Sequence, residues 1–312
     1  MPPFPRQSID RCLHAGAHLA AQTPWGRRLR RRIGAKQTLA YGPGAGAEHL
    51  VDVLWPAQPA SGLLPVVVYV HGGGFGLGSR DSHWHAGAAF AAAGCLTLVT
   101  NYRLAPAAPY PAALADLCRL WGFLLTNVEG WGGDRQRIFL AGESAGANLI
   151  AALTWALCAP RSEPFAAAAF AAGVVPRGIL PACGLLSLGV ARPPQPGYWA
   201  RLVTWRLAAI EIRYLGAPAQ PVPELASPLQ LYAEAPAAAL KRPLPPFFIQ
   251  VGDRDPILAD SLALHAALRR RGVTSRLQIY PAAGHAFHLL PWQRQAAAAW
   301  LDAVGFVQTP PD

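Results

Sequence analysis

Long hydrophobic runs are missing from this chain. No stretch reaches the roughly 18 apolar residues, free of charge and proline, that a membrane-spanning helix requires, and even Phe165 to Val175 is too short. Stable membrane insertion is therefore not expected. The opening MPPFPRQSIDRCLHAGAHLA lacks a basic stretch followed by an unbroken apolar one, so it does not read as a secretory leader. Cysteine is scarce too: Cys12, Cys95, Cys118, Cys158 and Cys183 are odd in number, widely spaced and without a C-x-x-C pair. They read as free core thiols in a reducing compartment, and a cytoplasmic protein is the expectation. Zinc-finger spacings, aromatic–basic RNP motifs and heptads are absent, which leaves nucleic-acid binding unsupported.

Charge is sparse at 14%, against 52% hydrophobic residues, so the chain has material for a large core and does not read as disordered. Its 312 residues suit one α/β domain with an insertion, although length alone also allows two domains. The net charge of +10 is concentrated: Arg27, Arg28, Arg30, Arg31, Arg32 and Lys36 form one N-terminal patch. Such a patch can meet an anionic surface. It can equally be the solvated face of an arginine-rich, lysine-poor protein.

Pro65 to Val70 (PVVVYV) is apolar throughout and β-branched, as a strand buried on both faces of a parallel sheet would be. Cys95 to Thr100, Ile138 to Ala141, Ile179 to Leu186, Phe247 to Val251 and Leu277 to Tyr280 repeat the theme, with helix-compatible segments between most of them. The alternation predicts a mostly parallel, doubly wound α/β sheet with ligands at the carboxyl ends of its strands. Lys36 to Tyr41 and His49 to Trp55 alternate apolar and polar residues around a glycine-rich turn, which predicts an edge hairpin. Ile9 to Ala21 has helical spacing, so residues 1–35 are read as a helical arm contributing to a cap over the domain 36–312. Residues of about 189–242, proline-rich around the amphipathic run Tyr198 to Leu215, are read as the inserted cap. Trp199, Trp205 and Tyr214 are candidates for lining a pocket under it, or for ordinary helix packing.

The chemistry centres on Arg137 to Ala151, RIFLAGESAGANLIA, which reads as strand, sharp turn, helix. Ser144 stands at the apex. Flanking glycines leave room where backbone approaches the turn, and the following helix points N–H groups at the site. After PVVVYV comes His71-Gly72-Gly73-Gly74-Phe75, whose glycines let backbone N–H groups face a cavity. No G-K-[ST] follows, which counts against a phosphate loop. A serine needs a histidine base oriented by a carboxylate. Two late strands supply candidates: Gly252-Asp253-Arg254-Asp255-Pro256 after one, and Gly284-His285-Ala286-Phe287-His288 after the other.

HGGGF (His71 to Phe75), NYRLAP (Asn101 to Pro106), GESAG (Gly142 to Gly146), DPIL (Asp255 to Leu258) and GHAF (Gly284 to Phe287) together resemble the hormone-sensitive-lipase family of α/β-hydrolase carboxylesterases. The likeness covers nearly everything after about Val51, including Ala226 to Leu229 and Leu244 to Pro246. It implies an α/β-hydrolase fold with a helical cap. It further implies Ser144 as nucleophile, His285 as base, Asp255 as its orienter, and the N–H groups of Gly73, Gly74 and Ala145 as the oxyanion hole. Family members act on short- to medium-chain acyl esters without a metal or other cofactor. The Asp-Pro context favours Asp255 over Asp253, Asp260 fits a structural cap, and His288 fits a packing role where a helix starts. Ala107 stands where the family commonly has an acid after YRLAP, so a local salt bridge is expected to be missing. An amidase or deformylase on the same machinery, and a non-catalytic binder of the same fold, stay open. The expected partner is a small acyl ester, and a homodimer is compatible with the chain.

Overall fold

The computed structural model describes residues 6–44, 46–58, 61–190, 198–216 and 221–311, with side chains described from His14 onward in the helix Arg6–Gln22 and from Arg201 onward in the helix Tyr198–Leu215. The side chains of Cys12 and Trp199 and the proline-rich lead-in at 191–197 lie outside what is described.

Eight strands form one sheet in the order β1-β2-β4-β3-β5-β6-β7-β8. At one edge β1 (Ile33–Ala40) pairs antiparallel with β2 (Leu50–Pro56), which pairs antiparallel with β4 (Leu96–Thr100). The others run parallel: β3 (Leu64–Val70), β5 (Gly133–Glu143), β6 (Gly178–Ala182), β7 (Phe247–Gly252) and β8 (Ser275–Tyr280). The doubly wound α/β sheet and its edge hairpin are thus as the sequence predicted. In β3, Val66, Val67, Val68, Tyr69 and Val70 are all buried, because helices cover both faces of the sheet.

Helices fill the connections: α1 (Arg6–Gln22), α2 (Pro24–Arg30), α3 (Trp84–Ala92), α4 (Ala112–Asn127), α5 (Ala145–Cys158), α6 (Pro164–Ala171), α7 (Tyr198–Leu215), α8 (Pro228–Glu234), α9 (Leu258–Arg270) and α10 (Arg294–Gln308). Every residue of α5 is buried, so its sequence is apolar all round instead of amphipathic. Among the described residues no helix is long and apolar enough to cross a membrane. Cys95, Cys118, Cys158 and Cys183 are free and buried. Burial pushes the thiols of Cys95, Cys118 and Cys158 up to about 12.

One expected strand is shorter than its apolar run. The apolar run Ile179 to Leu186 predicts one continuous strand, yet β6 ends at Ala182 and Cys183 turns away at φ 40°. The following segment is buried as irregular chain, so its backbone needs polar partners inside the protein. The Asp260 carboxylate accepts from the N–H groups of Leu186 (2.8 Å) and Ser187 (2.9 Å). Asn148 Nδ2 donates to Leu185 O at 2.8 Å, and Ser227 Oγ accepts from Leu188 N at 3.0 Å. Asp260 therefore ties this loop rather than capping a helix.

Two segments lie against the loop that follows β3. From α1, His14 Nε2 sits 3.3 Å from Ser79 Oγ, and Trp84 Nε1 donates to Ala17 O at 3.2 Å. The Arg30 guanidinium lies over the Trp84 ring at 4.8 Å, while Arg27, Arg28, Arg31 and Arg32 are exposed. From the segment between β6 and β7, α7 presents Tyr214, stacked on Phe75 at 3.7 Å. Tyr214 is buried core, whereas Trp205 on the same helix is 56% exposed. The later α8 packs downward instead, with Tyr232 OH donating to Ala151 O of α5 at 3.0 Å.

Candidate active site

Ser144 sits at the junction of β5 and α5 with φ 54° and ψ −116°, a conformation that costs an ordinary residue about 1–3 kcal/mol. Neighbouring backbone over-determines it. Its N–H donates to Ala182 O (3.0 Å), and its carbonyl accepts from Leu185 N (3.1 Å) and Asn148 N (3.2 Å). The turn must also pass under β3. A β-carbon on Gly146 would lie 2.1 Å from Val70 O and 2.7 Å from His71 O, so no larger residue fits.

His285 and Asp255 arrive from the loops after β8 and β7. His285 Nε2 is 3.1 Å from Ser144 Oγ, and its Nδ1 is 2.9 Å from Asp255 Oδ2. Asp255 Oδ1 accepts from Ile257 N at 2.9 Å, which fixes the carboxylate plane. The carboxylate is buried, while the His285 side chain is 36% exposed. Asp253, two residues away, faces solvent. His288 is buried against Phe287 and Trp300, and burial pushes its imidazole down to about 4.

The loop after β3 supplies the other wall. Gly73 has φ 104°, and a β-carbon there would meet Leu77 O at 2.3 Å. Gly76 N and Leu77 N both donate to Gly73 O (3.2 and 3.0 Å), and Ala105 N donates to Phe75 O at 2.8 Å. Among the described residues no acceptor takes the N–H of Gly73 or Gly74. The N–H of Ala145 belongs to the first turn of α5, which has no intrahelical partner. The loop passes the elbow at Gly72, where a β-carbon would stand 3.1 Å from Ser144 Cβ, and Ala145 lies at the positive end of the α5 dipole. Ile210 of α7 roofs the loop: a β-carbon on Gly74 would stand 2.9 Å from its Cδ1.

Behind the elbow lies a buried polar layer that the sequence reading missed. Glu143, adjacent to Ser144, is 1% exposed. Its Oε2 accepts from Tyr69 OH at 2.5 Å, its Oε1 accepts from Gly72 N, and Oε1 lies 3.2 Å from His83 Nε2. Burial opposes its charge, but His83 and the Tyr69 hydroxyl outweigh burial and hold the carboxyl down to about 2. His83 is also buried, and the Glu143 charge pushes its imidazole up against that burial. His71, stacked on Tyr102 at 4.4 Å and on His83 at 5.3 Å, is driven down to about 3 by burial and then by the His83 charge. The signal for this layer was one acid inside an otherwise apolar strand end, which had to find cationic or hydrogen-bonding company.

Arg103 of NYRLAP grips the buried Asp116 of α4, with Nη2 at 2.7 Å and Nε at 2.9 Å, so an acid at position 107 is not needed to pair it. Cys183 Sγ, an Asp255 oxygen and a His285 nitrogen lie within 4.8 Å of one another. Asp255 and His285 are spent on each other, and burial holds the Cys183 thiol well above its ordinary range, so this donor set does not fit a resident cation. A cleft of about 810 Å³ lined by Arg177, Pro245, Arg270 and Gly272 lies at the opposite ends of the strands and touches none of these residues.

A family model described as "alpha/beta hydrolase fold" matches residues 67–289. The acetyl-hydrolase of Streptomyces hygroscopicus is 33% identical over 235 residues, which cover 74% of this chain and 72% of that protein. Among solved structures, esterase LipW from Mycobacterium marinum is similar at 26% identity and a TM-score of 0.73, over 98% of this chain and 89% of that one. The hyperthermophilic esterase from the archaeon Pyrobaculum calidifontis shares the fold, with a TM-score of 0.79 at 21% identity over 98% of this chain and 93% of that one.

Proposed function

The chain belongs to the alpha/beta hydrolase fold family, in its hormone-sensitive-lipase branch, and from that premise we propose that this carboxylic-ester hydrolase cleaves short- to medium-chain acyl esters through an acyl-enzyme on Ser144. Ser144 Oγ attacks the ester carbonyl carbon as His285 Nε2 takes its proton. Asp255 holds the ring by Nδ1 and stabilises the imidazolium. The carbonyl oxygen becomes an oxyanion, and the N–H groups of Gly73, Gly74 and Ala145 receive it, each worth about 3 kcal/mol in sites of this kind. His285 then returns the proton to the leaving alkoxide. A water, deprotonated by the same nitrogen, attacks the acyl-enzyme, and collapse releases the acid and restores Ser144.

The observation that carries this reading is the continuous chain from Asp255 Oδ2 through the His285 ring to Ser144 Oγ, with links of 2.9 and 3.1 Å, ending on a strained elbow. The closeness of Ile210 to Gly74 supports the limit on acyl length, since α7 leaves little depth above the oxyanion loop. A fluorophosphonate probe should label the wild-type protein on Ser144 and leave Ser144→Ala unlabelled. Rates on p-nitrophenyl esters of graded length should peak at short to medium acyl groups, and a matched anilide should be a far poorer substrate. Anilide turnover equal to that of the ester would replace this reading with an amidase.

A further inference from the structure

The oxyanion loop and the serine elbow are separate pieces of chain, yet catalysis needs their relative position held within a fraction of an ångström. One side chain bridges them. Glu143 is the residue before Ser144, and its Oε1 accepts the N–H of Gly72, the residue before Gly73 and Gly74. The same carboxylate faces His83, which lies between the oxyanion loop and α3. We infer that Glu143 and His83 form an ionised clamp that positions the oxyanion loop on the nucleophile elbow, so that Ser144 and the donors of Gly73 and Gly74 move as one unit. This rests on the acyl-enzyme reading given above.

The hydrogen-bond pattern accommodates the charges. Three donors converge on Glu143: Tyr69 OH, Gly72 N–H and His83 Nε2. A carboxylate has about four acceptor positions for them. His83 meanwhile faces the Glu143 carboxylate at Nε2, with the Ser82 hydroxyl (2.9 Å) and the Ser79 carbonyl (3.2 Å) at Nδ1, so its Nε2 carries hydrogen toward Glu143. An imidazolium also offers Nδ1–H to the Ser79 carbonyl, and against the cost of burial the facing Glu143 carboxylate favours that charged form. The other titratable groups around the pair are arranged to stay uncharged. His71 is driven down to about 3 by burial, His85 to about 3 and His288 to about 4, and burial keeps Tyr69, Tyr102 and Cys183 protonated far into the alkaline range. Glu143 and His83 therefore have each other as counterions.

Glutamine at position 143 keeps the shape but turns an amide N–H₂ toward one of the three donors, which loosens the loop. Because the oxyanion donors act on the transition state, the loss falls on kcat and not on KM. The experiment compares wild type, Glu143→Gln, His83→Gln and Tyr69→Phe on a p-nitrophenyl ester across pH, together with binding of a trifluoromethyl ketone that forms the tetrahedral adduct. Glu143→Gln is expected to lose about 100-fold in kcat and a similar factor in ketone affinity, with KM within about 3-fold, as for an ångström-scale misplacement. Tyr69→Phe removes one donor to Glu143 but leaves its Gly72 and His83 contacts in place, and should lose clearly less than Glu143→Gln, about 5-fold on the same scale. Wild-type kcat should fall on the alkaline side as His83 gives up its proton, and this limb should vanish in His83→Gln. A folded Glu143→Gln with kcat within about 3-fold of wild type overturns the clamp on that scale. So does an alkaline limb that persists in His83→Gln, and that variant decides the matter if Glu143→Gln does not fold. Failure of the fluorophosphonate to label wild-type Ser144 would instead remove the acyl-enzyme reading, which separates the two failures.

Discussion

Gly146 runs so close beneath Val70 that a β-carbon on it would stand 2.1 Å from the Val70 carbonyl oxygen. That oxygen belongs to the central strand β3 and cannot move aside. Gly146→Ala is therefore expected to lose about 3 kcal/mol or more of stability, at the upper end for overpacking a core. Urea unfolding should show a lowered midpoint with an unchanged m-value. By contrast, Ser144→Ala removes one hydroxyl from the same turn and should keep the wild-type midpoint while abolishing ester hydrolysis. Equal stability in the two variants would mean that the elbow does not pack as described.

The carboxylates of the β7–α9 loop make a paired test. Asp255 is buried on His285 Nδ1, and Asp253 faces solvent. Asp255→Asn should lower kcat by about 10⁴, the cost of losing tautomer control in a triad. Asp253→Asn should leave kcat within about 2-fold on that scale. Were the two effects exchanged, the carboxylate serving His285 would have been misassigned.

His285 and His288 separate catalysis from packing. His285→Ala should remove turnover and leave stability within about 0.5 kcal/mol, as for a partly exposed side chain. His288 packs between Phe287 and Trp300, and Trp300 Nε1 donates to its carbonyl at 2.8 Å. Its alanine variant should lose about 1–3 kcal/mol of stability and keep most of its kcat. Kinetics and urea unfolding on the same preparations read both numbers.

What could be read without coordinates follows from how local each signal is. Gly142-Glu143-Ser144-Ala145-Gly146 was legible because one turn carries its own steric demands, and PVVVYV because burial on both faces leaves no polar position. Ile179 to Leu186 misled because a buried strand and a buried loop are equally apolar. Side chains far along the chain distinguish them, Asp260 standing 74 residues from Leu186 and joined by Asn148 and Ser227. Helical spacing marked Trp205 and Tyr214 alike, yet one is exposed and the other is stacked on Phe75, a difference set by what lies opposite each. For Glu143 the one local hint is an acid at the end of an apolar strand, but its partner His83 carries no local signature, and their need for each other arises only once both are buried.

The buried ionisable groups give the stability a predicted pH maximum near the unfolded histidine value of about 6.5. His71 and His288 are held down to about 3 and about 4 in the native state, chiefly by burial. Their contribution is complete above about 6.5 and is lost as pH falls toward those values, because the unfolded chain takes up protons that the native state refuses. Each such proton contributes a slope of about 1.4 kcal/mol per pH unit. Glu143, held down to about 2 against burial by His83 and Tyr69, acts in the same direction below its unfolded value of about 4.5. His83 has the opposite sign. Glu143 raises its pKa against the cost of burial, so its contribution is complete below about 6.5 and is lost as pH rises through the raised value. Urea unfolding at fixed ionic strength from pH 4.5 to 9 should trace a curve falling on both sides. His288→Gln should flatten the acid side by about one proton's slope, and His83→Gln should flatten the alkaline side below the range where cysteine and tyrosine ionise. A wild-type curve that is level between pH 6.5 and 5 would mean that His71 and His288 are not buried as neutral rings.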